Sequence, residues 1–492
     1  MRLVLNGKVN SLYVQSLCMM FFRGEKFQEN ELNPRGVMIV TSEEKENGIF
    51  CTASVTYDSL NENASCFVNY DSHIKYERIS KIAVGKAIYE ACVKLTGYIP
   101  PWGLLTGIRP SLVAAELIKE YGEEKAVEFL QAQYLLSKQK ASLAVSVAKN
   151  ESLILDKYDE DTCSLYVSIP FCPTRCSYCS FISYATNKLL SLIPDYVEKL
   201  VVEIEKSLQL IKELKLSLVS IYIGGGTPTT LDEQQLERIL SVIHKFTYNA
   251  PAFEFTVEGG RPDTITKAKL DILKKYGVNR ISINPQTLND DVLKGIGRRH
   301  TVDDFFKAYQ LAHDTSFNVI NTDLIAGLDG DNFDSFKKTI DKIVELEPNN
   351  VTVHSFSVKK SAQILRDDKN IYNRDGIDAV RSVDYSYEML ISKGYIPYYM
   401  YRQKNTISDL ENVGYAKPEA FGVYNVLMMG DGHTVFGVGA GATTKLVKKT
   451  NSKKEILRIF SPKYPYEYLQ DNKDNSYKII DFLKGGSDSE DN

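Results

Sequence analysis

Short apolar runs alternate with amphipathic segments between residue 163 and about residue 358. Six runs are rich in Val, Ile and Phe, as buried parallel strands are. They cover residues 164–170, 218–223, 253–257, 280–283, 318–325 and 351–356. Apolar residues recur every three or four positions between them, which predicts helices. These helices cover 189–211, 232–246, 265–276, 302–313 and 333–345. Because parallel neighbours need right-handed helical crossovers, the alternation predicts an α/β fold, a partial (β/α)6 barrel, with an open doubly wound sheet as the alternative.

Residues 1–155 combine two patterns and are predicted to form a separate α+β N-terminal domain of unknown role. Its strand-like runs cover 11–22, 36–41 and 49–57. Its helical patterns cover 79–95, 111–121 and 130–149. A break rich in Gly and Pro at residues 97–110 contains Trp102, the one tryptophan of the chain. We interpret Trp102 as packing between helices at this break, with a partner surface as the alternative.

The predicted barrel spans residues 160–358, and the chain beyond it changes pattern again. Residues 359–484 include a helical pattern at 376–393 and continue as a strand- and turn-rich extension, which we expect to cover the substrate. The last residues, 485–492, are polar and acidic and are expected to be disordered.

Composition places the chain among ordinary globular proteins. Its 492 residues are 43% hydrophobic and 25% charged, and the formal net charge is −4. That charge gives no overall attraction to nucleic acid. No stretch approaches the roughly 18 consecutive apolar residues of a membrane span, and the amino terminus lacks the apolar region of a signal peptide. These features, with thiols expected to be reduced, predict a cytoplasmic protein that binds no nucleic acid and does not span a membrane.

Three cysteines, Cys172, Cys176 and Cys179, lie within eight residues directly after the first predicted strand. Three closely spaced thiolates can hold three corners of a four-iron cluster, and no His or fourth Cys follows nearby to close the last corner. The iron at that corner would be open to a ligand. A zinc site is the alternative, but it needs four ligands. The nearest other thiol, Cys163, lies nine residues upstream, where a buried apolar role is favoured.

The spacing Cys-x3-Cys-x2-Cys, preceded by Ile-Pro-Phe and with an aromatic residue before its last Cys, resembles the radical S-adenosylmethionine (SAM) superfamily. The resemblance implies two cofactors, a [4Fe-4S] cluster and SAM. It assigns Cys172, Cys176 and Cys179 as metal ligands and catalytic residues. It also implies that the unique iron chelates the amino and carboxylate groups of SAM, and that the reduced cluster splits the sulfonium to give a 5′-deoxyadenosyl radical.

Polar groups also mark the next four predicted strands, at the end where the active site of an α/β barrel lies. The second strand ends in the Gly-Gly-Gly-Thr-Pro sequence of residues 224–228, whose backbone amides a ligand can approach closely. The third strand ends at Glu258, the fourth is followed by Gln286, and the fifth carries Asp323. Each has an ordinary structural interpretation as a cap or a turn organiser. Their convergence at one edge favours a ligand site.

Within the superfamily, the positions of Tyr166, Gln286, Arg298 and Asp323 resemble the oxygen-independent coproporphyrinogen III oxidase group over about residues 160–450. Strings similar to its HemZ branch lie at residues 101–110, 258–263, 401–405 and 410–415. The resemblance implies a set of residues that contact SAM. These are Tyr166, Tyr178, Gly225, Gly226, Thr227, Glu258, Gln286, Arg298 and Asp323.

Two positions depart from the decarboxylating members of that group. Those members carry a Cys two residues after the cluster motif, where this chain has Phe181. They also carry a His where this chain has Ser168. A Phe at the first position is similar to the related haem-trafficking members, which bind haem.

The substrate that the resemblance implies, coproporphyrinogen III, bears four carboxylates, so we expect cations at the mouth of the site. The candidates are Arg261, Arg280, Arg298, Arg299, His300, Arg402 and Lys404. His354, inside an apolar run, is expected to be a hydrogen-bonded core residue. For His433, in a Gly-rich loop, an approach to haem or substrate is an alternative to a structural role.

The leading hypothesis is an oxidoreductase of haem biosynthesis that converts coproporphyrinogen III to protoporphyrinogen IX without oxygen, with a small electron-transfer protein as reductant. Hydrogen abstraction from the β-carbon of a propionate and loss of CO2 would leave a vinyl group, at two propionates of the substrate. Phe181 supports an alternative, a haem-binding chaperone that keeps the cluster. A radical SAM enzyme that acts on a tetrapyrrole by another reaction is the third hypothesis.

Overall fold

The computed structural model of the chain describes residues 1–27, 34–179, 183–248, 253–357, 376–403, 406–450 and 453–485. Phe181, Lys404 and the acidic tail beyond Gly485 therefore lie outside the described residues. The described chain divides into two compact units. The first contains Met1–Lys149 and Met400–Asn412 with residues 376–380, and the second contains residues 150–357, Arg381–Tyr399 and residues 413–485.

The smaller sheet of the molecule lies in the first unit and has the order β1-β2-β3-β4. Its strands are β1 (Arg2–Asn6), β2 (Gly36–Lys45), β3 (Gly48–Tyr57) and β4 (Leu60–Asn69). β1 is parallel to β2, and the other pairs are antiparallel. The first five helices are α1 (Ser11–Phe21), α2 (Tyr76–Thr96), α3 (Pro110–Tyr121), α4 (Glu123–Tyr134) and α5 (Lys138–Leu155).

Residues 11–22, predicted as a strand, form helix α1 instead. Val14, Leu17 and Cys18 are fully buried, and their spacing of three to four residues belongs to one helix face. Asn10 begins the helix by accepting a hydrogen bond from Tyr13 N at 3.0 Å. The strand prediction was wrong because it relied on the apolar composition of the segment and not on the three- to four-residue spacing of its apolar side chains.

Trp102 is fully buried, so the alternative of a partner surface is wrong. Its indole N–H donates to one carboxylate oxygen of Glu411 at 2.7 Å, and the buried Lys140 donates to the other at 2.5 Å. Arg402, in the same unit, donates to Leu105 O. Three of the strings singled out in the sequence, at residues 101–110, 401–405 and 410–415, thus meet in the interior of the first unit.

Six parallel strands lie side by side in sequence order in the larger sheet, which confirms the α/β fold of successive strand–helix units. They are β5 (Thr162–Ile169), β6 (Ser217–Gly225), β7 (Glu254–Glu258), β8 (Arg280–Ser282), β9 (Val319–Ala326) and β10 (Asn350–Ser355). A doubly wound sheet reverses its order at a switch point. These six strands show no reversal, so their order is that of the predicted (β/α)6 units.

Five more strands extend this sheet in the order β11-β12-β10-β9-β8-β7-β6-β5-β13-β14-β15. They are β11 (Ile396–Arg402), β12 (Glu411–Ala416), β13 (Thr434–Val438), β14 (Thr443–Thr450) and β15 (Lys453–Phe460). β13 is parallel to β5, whereas β12 and β14 are antiparallel to β10 and β13. The carboxyl ends of β5 to β10 therefore meet at one edge of the sheet.

Helices connect the parallel strands, and five of them lie at the amphipathic patterns of the sequence. The helices after α5 are α6 (Asn187–Leu190), α7 (Ile193–Glu213), α8 (Glu233–Thr247), α9 (Lys267–Lys275), α10 (Asp290–Gly295), α11 (Val302–Asp314), α12 (Phe333–Glu345), α13 (Ile377–Ser392), α14 (Val423–Met429), α15 (Pro465–Gln470) and α16 (Ser476–Lys484). α8 begins at a capping box of Asp232 and Gln235. Every helix in the described parts of the chain is too short or too polar to cross a membrane.

Candidate active site

The three cysteines lie in the loop that follows β5. Cys172 N donates to Tyr184 O at 3.1 Å, and Cys179 N donates to Cys176 O at 3.1 Å. Burial raises the pKa of Cys172 to about 11, and the nearby Cys179 and Cys176 add to the rise while Thr227 opposes it. The thiols are thus close enough to repel one another when ionised. Bound cations would offset this repulsion between thiolates.

The donor set of this loop fits a cluster better than one metal ion. None of the eight cysteines of the chain forms a disulfide. Among the described residues, no three His, Cys, Asp or Glu side chains are grouped to hold a single metal ion. In a four-iron cluster each cysteine binds a different iron, so its three ligands need not converge on one point.

The glycine segment after β6 lies directly against the cysteine loop. A Cβ on Gly226 would come within 2.6 Å of Phe171 O and 3.0 Å of Cys172 Sγ, so a larger residue cannot fit. Gly225 has a φ of +113°, a backbone conformation that favours glycine. Thr227 Oγ1 lies 3.4 Å from Cys172 Sγ. Close packing against the cysteine loop therefore restricts which residues this glycine segment can contain.

Glu258 ends β7 beside a stack of tyrosines. It accepts a hydrogen bond from the hydroxyl of Tyr222 on β6. Burial raises the pKa of Glu258 to about 7, although the bond from Tyr222 lowers it. Tyr166, the register partner of Tyr222 on β5, stacks on Tyr222 with 6.3 Å between ring centroids and on Tyr424 with 6.2 Å. Near neutral pH, this carboxyl group can therefore hold either a proton or a cation.

Sequence reasoning missed Tyr222 and Tyr424. Tyr222 lies within the apolar second run, where nothing in the local pattern marks a side chain that bonds Glu258. Tyr424 is more than 150 residues away from Glu258 in sequence, yet it stacks on Tyr222 with 4.5 Å between centroids. The Gly-Val-Tyr-Asn start of α14 was the one signal available, and it is weak.

Asp323 lies on β9 among three polar neighbours. Asn284 donates to one of its oxygens at 2.8 Å, and Asn321 donates to the other at 2.7 Å. His354 of β10 lies 3.8 Å from the carboxylate. Burial opposes ionisation, but the bonds and charge of His354 and the bond from Asn321 lower the pKa of Asp323 overall. His354 is 27% exposed and faces this carboxylate, so its expected place in the core is wrong.

Two buried polar atoms beside this group have no hydrogen-bond partner among the described residues. They are Gln286 Oε1 and Arg298 Nε. Gln286 N donates to Asp323 O at 3.1 Å, and Arg298 Nη1 donates to Asn284 O at 2.7 Å. Arg298 Nη2 also lies 3.5 Å from the hydroxyl of Tyr178. Buried polar atoms without partners are rare and costly, so this pair fits a polar ligand such as SAM.

Two of the predicted mouth cations serve the fold instead. Arg280 begins β8, at the opposite end of the strand from the site, and donates to Ala420 O at 3.0 Å. Arg402 is buried in the first unit, where its Nε donates to Asp409 O at 3.2 Å. Both predictions were wrong because the local sequence around a basic residue does not show at which end of a strand its side chain will lie.

Two histidines are also unsuited to bind an anion. Burial, followed by the charge of Arg298, lowers the pKa of His300 to about 3. Burial lowers the pKa of His433 to about 4, and its Nε2 lies 2.8 Å from Ser164 Oγ. Neither ring therefore carries a charge near neutral pH. His433 is buried against Ser164 near the start of β5, at the end of the strand opposite the cysteine loop, and this location favours its structural role. Arg299, by contrast, is exposed.

Ser168 has a fixed structural role. Its hydroxyl is buried and donates to Ala440 O at 2.8 Å. A serine hydroxyl in such a bond cannot replace an imidazole as a proton donor.

Comparison with known proteins is consistent with these features. The sequence pattern of the radical SAM superfamily matches residues 166–343. The Bacillus subtilis oxygen-independent coproporphyrinogen-III oxidase-like protein HemZ is 36% identical over 378 residues, which are 76% of this chain and 75% of that protein. The haem chaperone HemW of B. subtilis is 35% identical over 197 residues, 40% of this chain and 51% of that protein. The oxygen-independent coproporphyrinogen III oxidase of Salmonella typhimurium is 30% identical over 237 residues, 48% of this chain and 50% of that protein.

Proposed function

The chain belongs to the oxygen-independent coproporphyrinogen III oxidase-like family of radical SAM proteins, and we propose that it oxidises coproporphyrinogen III to protoporphyrinogen IX. Its cofactors are a [4Fe-4S] cluster and SAM, which together supply a 5′-deoxyadenosyl radical when bound. The similarity to HemZ extends over three quarters of both chains and supports this substrate class. A small electron-transfer protein is the proposed reductant.

Cys172, Cys176 and Cys179 are the proposed cluster ligands. They share one loop, and the contact between Cys172 and Thr227 joins that loop to the glycine segment. Cys163 is excluded from this role because it is fully buried within β5. The proposed ligand set therefore leaves one iron without a protein ligand, as SAM binding requires.

The polar groups at the strand ends are the proposed SAM contacts. Glu258 and Asp323 offer carboxylates to the ammonium group of SAM, and Arg298 offers a guanidinium to its carboxylate. The unpartnered Gln286 Oε1 and Arg298 Nε supply an acceptor and a donor in the same place. This pair is the observation that carries the proposal, because an unpartnered acceptor and an unpartnered donor lie together beside Asp323 and Asn284 at the carboxyl ends of the strands, where a polar ligand can satisfy both.

Fewer residues support a proposal for how the carboxylates of the substrate are bound. Among the candidate cations that the structure describes, Arg299 is the exposed one, and it is proposed to meet a propionate. Hydrogen abstraction from the β-carbon of a propionate, loss of an electron and release of CO2 give the vinyl group. The electron acceptor for that last step must come from outside the chain.

Haem binding without decarboxylation is the second candidate function. Ser168 favours it, because its hydroxyl is committed to Ala440 O where decarboxylating relatives carry an imidazole. The similarity to the haem chaperone HemW over 197 residues supports the same possibility. A tetrapyrrole is the proposed partner in both cases.

One assay separates the two. Purified protein is reconstituted anaerobically with iron and sulfide, and then incubated with dithionite, SAM and coproporphyrinogen III. The proposal expects 5′-deoxyadenosine together with protoporphyrinogen. Deoxyadenosine without a vinyl product contradicts decarboxylation, and stable haem uptake with neither product favours the chaperone. Cys176→Ala is the matched control and should give neither product.

A further inference from the structure

Arg261 connects the Glu-Gly-Gly-Arg-Pro-Asp string of residues 258–263 to the cysteine loop. Its Nη1 lies 3.6 Å from Cys176 Sγ, within the range of a hydrogen bond to sulfur. Its Nη2 donates to Thr174 Oγ1, in the same loop, at 2.9 Å. Its Nε donates to Asp263 Oδ1 at 3.2 Å. The guanidinium is therefore fixed on both sides, with one N–H aimed at the sulfur.

The two glycines of the string explain how the chain delivers this side chain. A Cβ on Gly259 would lie 2.7 Å from Ser282 O, so the turn packs closely against β8. Gly260 has a φ of +54°, and its N–H donates to Ser282 O at 3.0 Å. The backbone turns sharply after β7 as a result and brings Arg261 to the cysteine loop.

Burial makes this contact strong. The side chain of Arg261 is 3% exposed, and Cys176 is 9% exposed. In such surroundings a hydrogen bond from a charged donor is screened little by water. Cys172 has a different environment, since its sulfur meets the neutral hydroxyl of Thr227 at 3.4 Å.

We propose that Arg261 is a positioning residue that raises the reduction potential of the cluster, by donating a hydrogen bond and presenting a positive charge to Cys176 Sγ. The proposal rests on the cluster ligands assigned above. Reduction adds one electron, taken from an external reductant, and no atom is transferred. Part of the added negative charge falls on the ligand sulfurs, so a fixed cation stabilises the reduced state more than the oxidised state.

The test compares midpoint potentials in anaerobically reconstituted protein, titrated with dithionite and followed by electron paramagnetic resonance of the reduced cluster. Arg261→Met removes both donor and charge and keeps the length of the side chain. We expect its reduction equilibrium constant to fall about tenfold, a shift of about 59 mV to more negative potential. Arg261→Lys keeps the charge without the planar fork, so its shift should be smaller. Arg299→Met removes a charge that is exposed to solvent and should change the potential much less.

Each outcome decides the proposal. An unchanged midpoint in iron-replete Arg261→Met overturns it, and so does an equal shift in Arg299→Met, because the effect would then be general charge. Should Arg261→Met lose its cluster, Arg261→Lys and Arg261→Gln carry the comparison. Loss of iron from all three, with circular dichroism melting unchanged, overturns the tuning role in favour of cluster assembly. A wild-type protein that forms no cluster refutes the proposed function itself, whatever the variants do.

Discussion

The two ends of the parallel strands in the second unit use charged residues in opposite ways. At the amino ends, Glu254 accepts hydrogen bonds from Val423 N at 2.7 Å and Tyr424 N at 3.1 Å. Arg280 lies 3.9 Å from Glu254 and donates to Ala420 O. The two side chains are buried and paired, and they attach the start of α14 to the sheet. Both charged groups therefore stabilise the fold.

At the carboxyl ends the polar groups are incompletely matched. Gln286 Oε1 and Arg298 Nε lack partners in the described part of the protein, and Gln286 has a φ of +70°. Glu258 has a pKa near 7 because it is buried. Each feature costs folding free energy, which a bound ligand can return. In this sheet, a charged residue therefore contributes to the fold or to the site according to which end of its strand it occupies.

The largest expected effect is at the cysteine loop. Cys176→Ala should abolish cluster binding, because three thiolates are the least number that can hold the cluster with one open iron. Iron analysis and the absorbance of the reconstituted protein measure this. Cys163→Ala is the control, since that thiol is buried in β5; it should keep its iron and lose only about 1 kcal/mol of unfolding free energy. Full iron content in Cys176→Ala would refute the ligand assignment.

The second-largest expected effect concerns the amino ends of the parallel strands. Arg280→Ala should lower the free energy of unfolding by roughly 3 kcal/mol, because Glu254 stays buried without its cation. Denaturant unfolding measures it. In the control, Arg238→Ala removes an exposed ion pair of 3.1 Å with Glu198 and should cost no more than about 1 kcal/mol. A loss of SAM affinity in folded Arg280→Ala would contradict the division between the two ends.

Glu258 should give opposite pH dependences for stability and for ligand binding. The pKa of Glu258 is raised from 4.5 to about 7, so between these values the folded state keeps a proton that the unfolded state has released. Its contribution to the free energy of unfolding therefore falls as pH rises through this window and is constant above it. SAM affinity should rise with pH through about 7, since only the carboxylate attracts an ammonium group.

Glu258→Gln should remove both dependences and weaken SAM binding by about tenfold, the effect of one charge-assisted bond. Chemical denaturation from pH 4.5 to about pH 7 measures the first quantity, and equilibrium dialysis from about pH 6 to about pH 8 measures the second. The exposed Glu198→Gln provides the matched control. If the pH dependence of SAM binding persists in Glu258→Gln, another group controls it.

The smallest expected effect concerns Gln286, whose backbone is strained. Gln286→Gly relieves a positive φ and removes an unpartnered oxygen, so the ligand-free protein should gain about 1 kcal/mol of stability while SAM binds more weakly. Thermal unfolding with and without SAM measures both. Ser316→Gly, exposed and also at a φ of +60°, relieves strain alone and should leave SAM affinity unchanged. Equal SAM affinity in Gln286→Gly and wild type would contradict the proposed contact.

The sequence by itself determined the features that depend on neighbouring residues. The Cys-x3-Cys-x2-Cys spacing predicted a cluster with an open iron, and the alternation of apolar runs and amphipathic segments predicted six parallel strands in the observed order. Strand and helix periods, and the spacing of ligands in a loop, are local properties, so the chain records them within a few residues.

Only the tertiary structure decided which distant residues share a neighbourhood. It brought Arg261 to Cys176 and stacked Tyr424 on Tyr222, and it directed Arg280 away from the site. It also buried one face of α1, a helix in a segment whose apolar composition alone had suggested a strand. The physical reason is that burial, hydrogen-bond partners and the choice between the two ends of a strand arise from contacts between segments far apart in sequence, and local pattern carries no information about them.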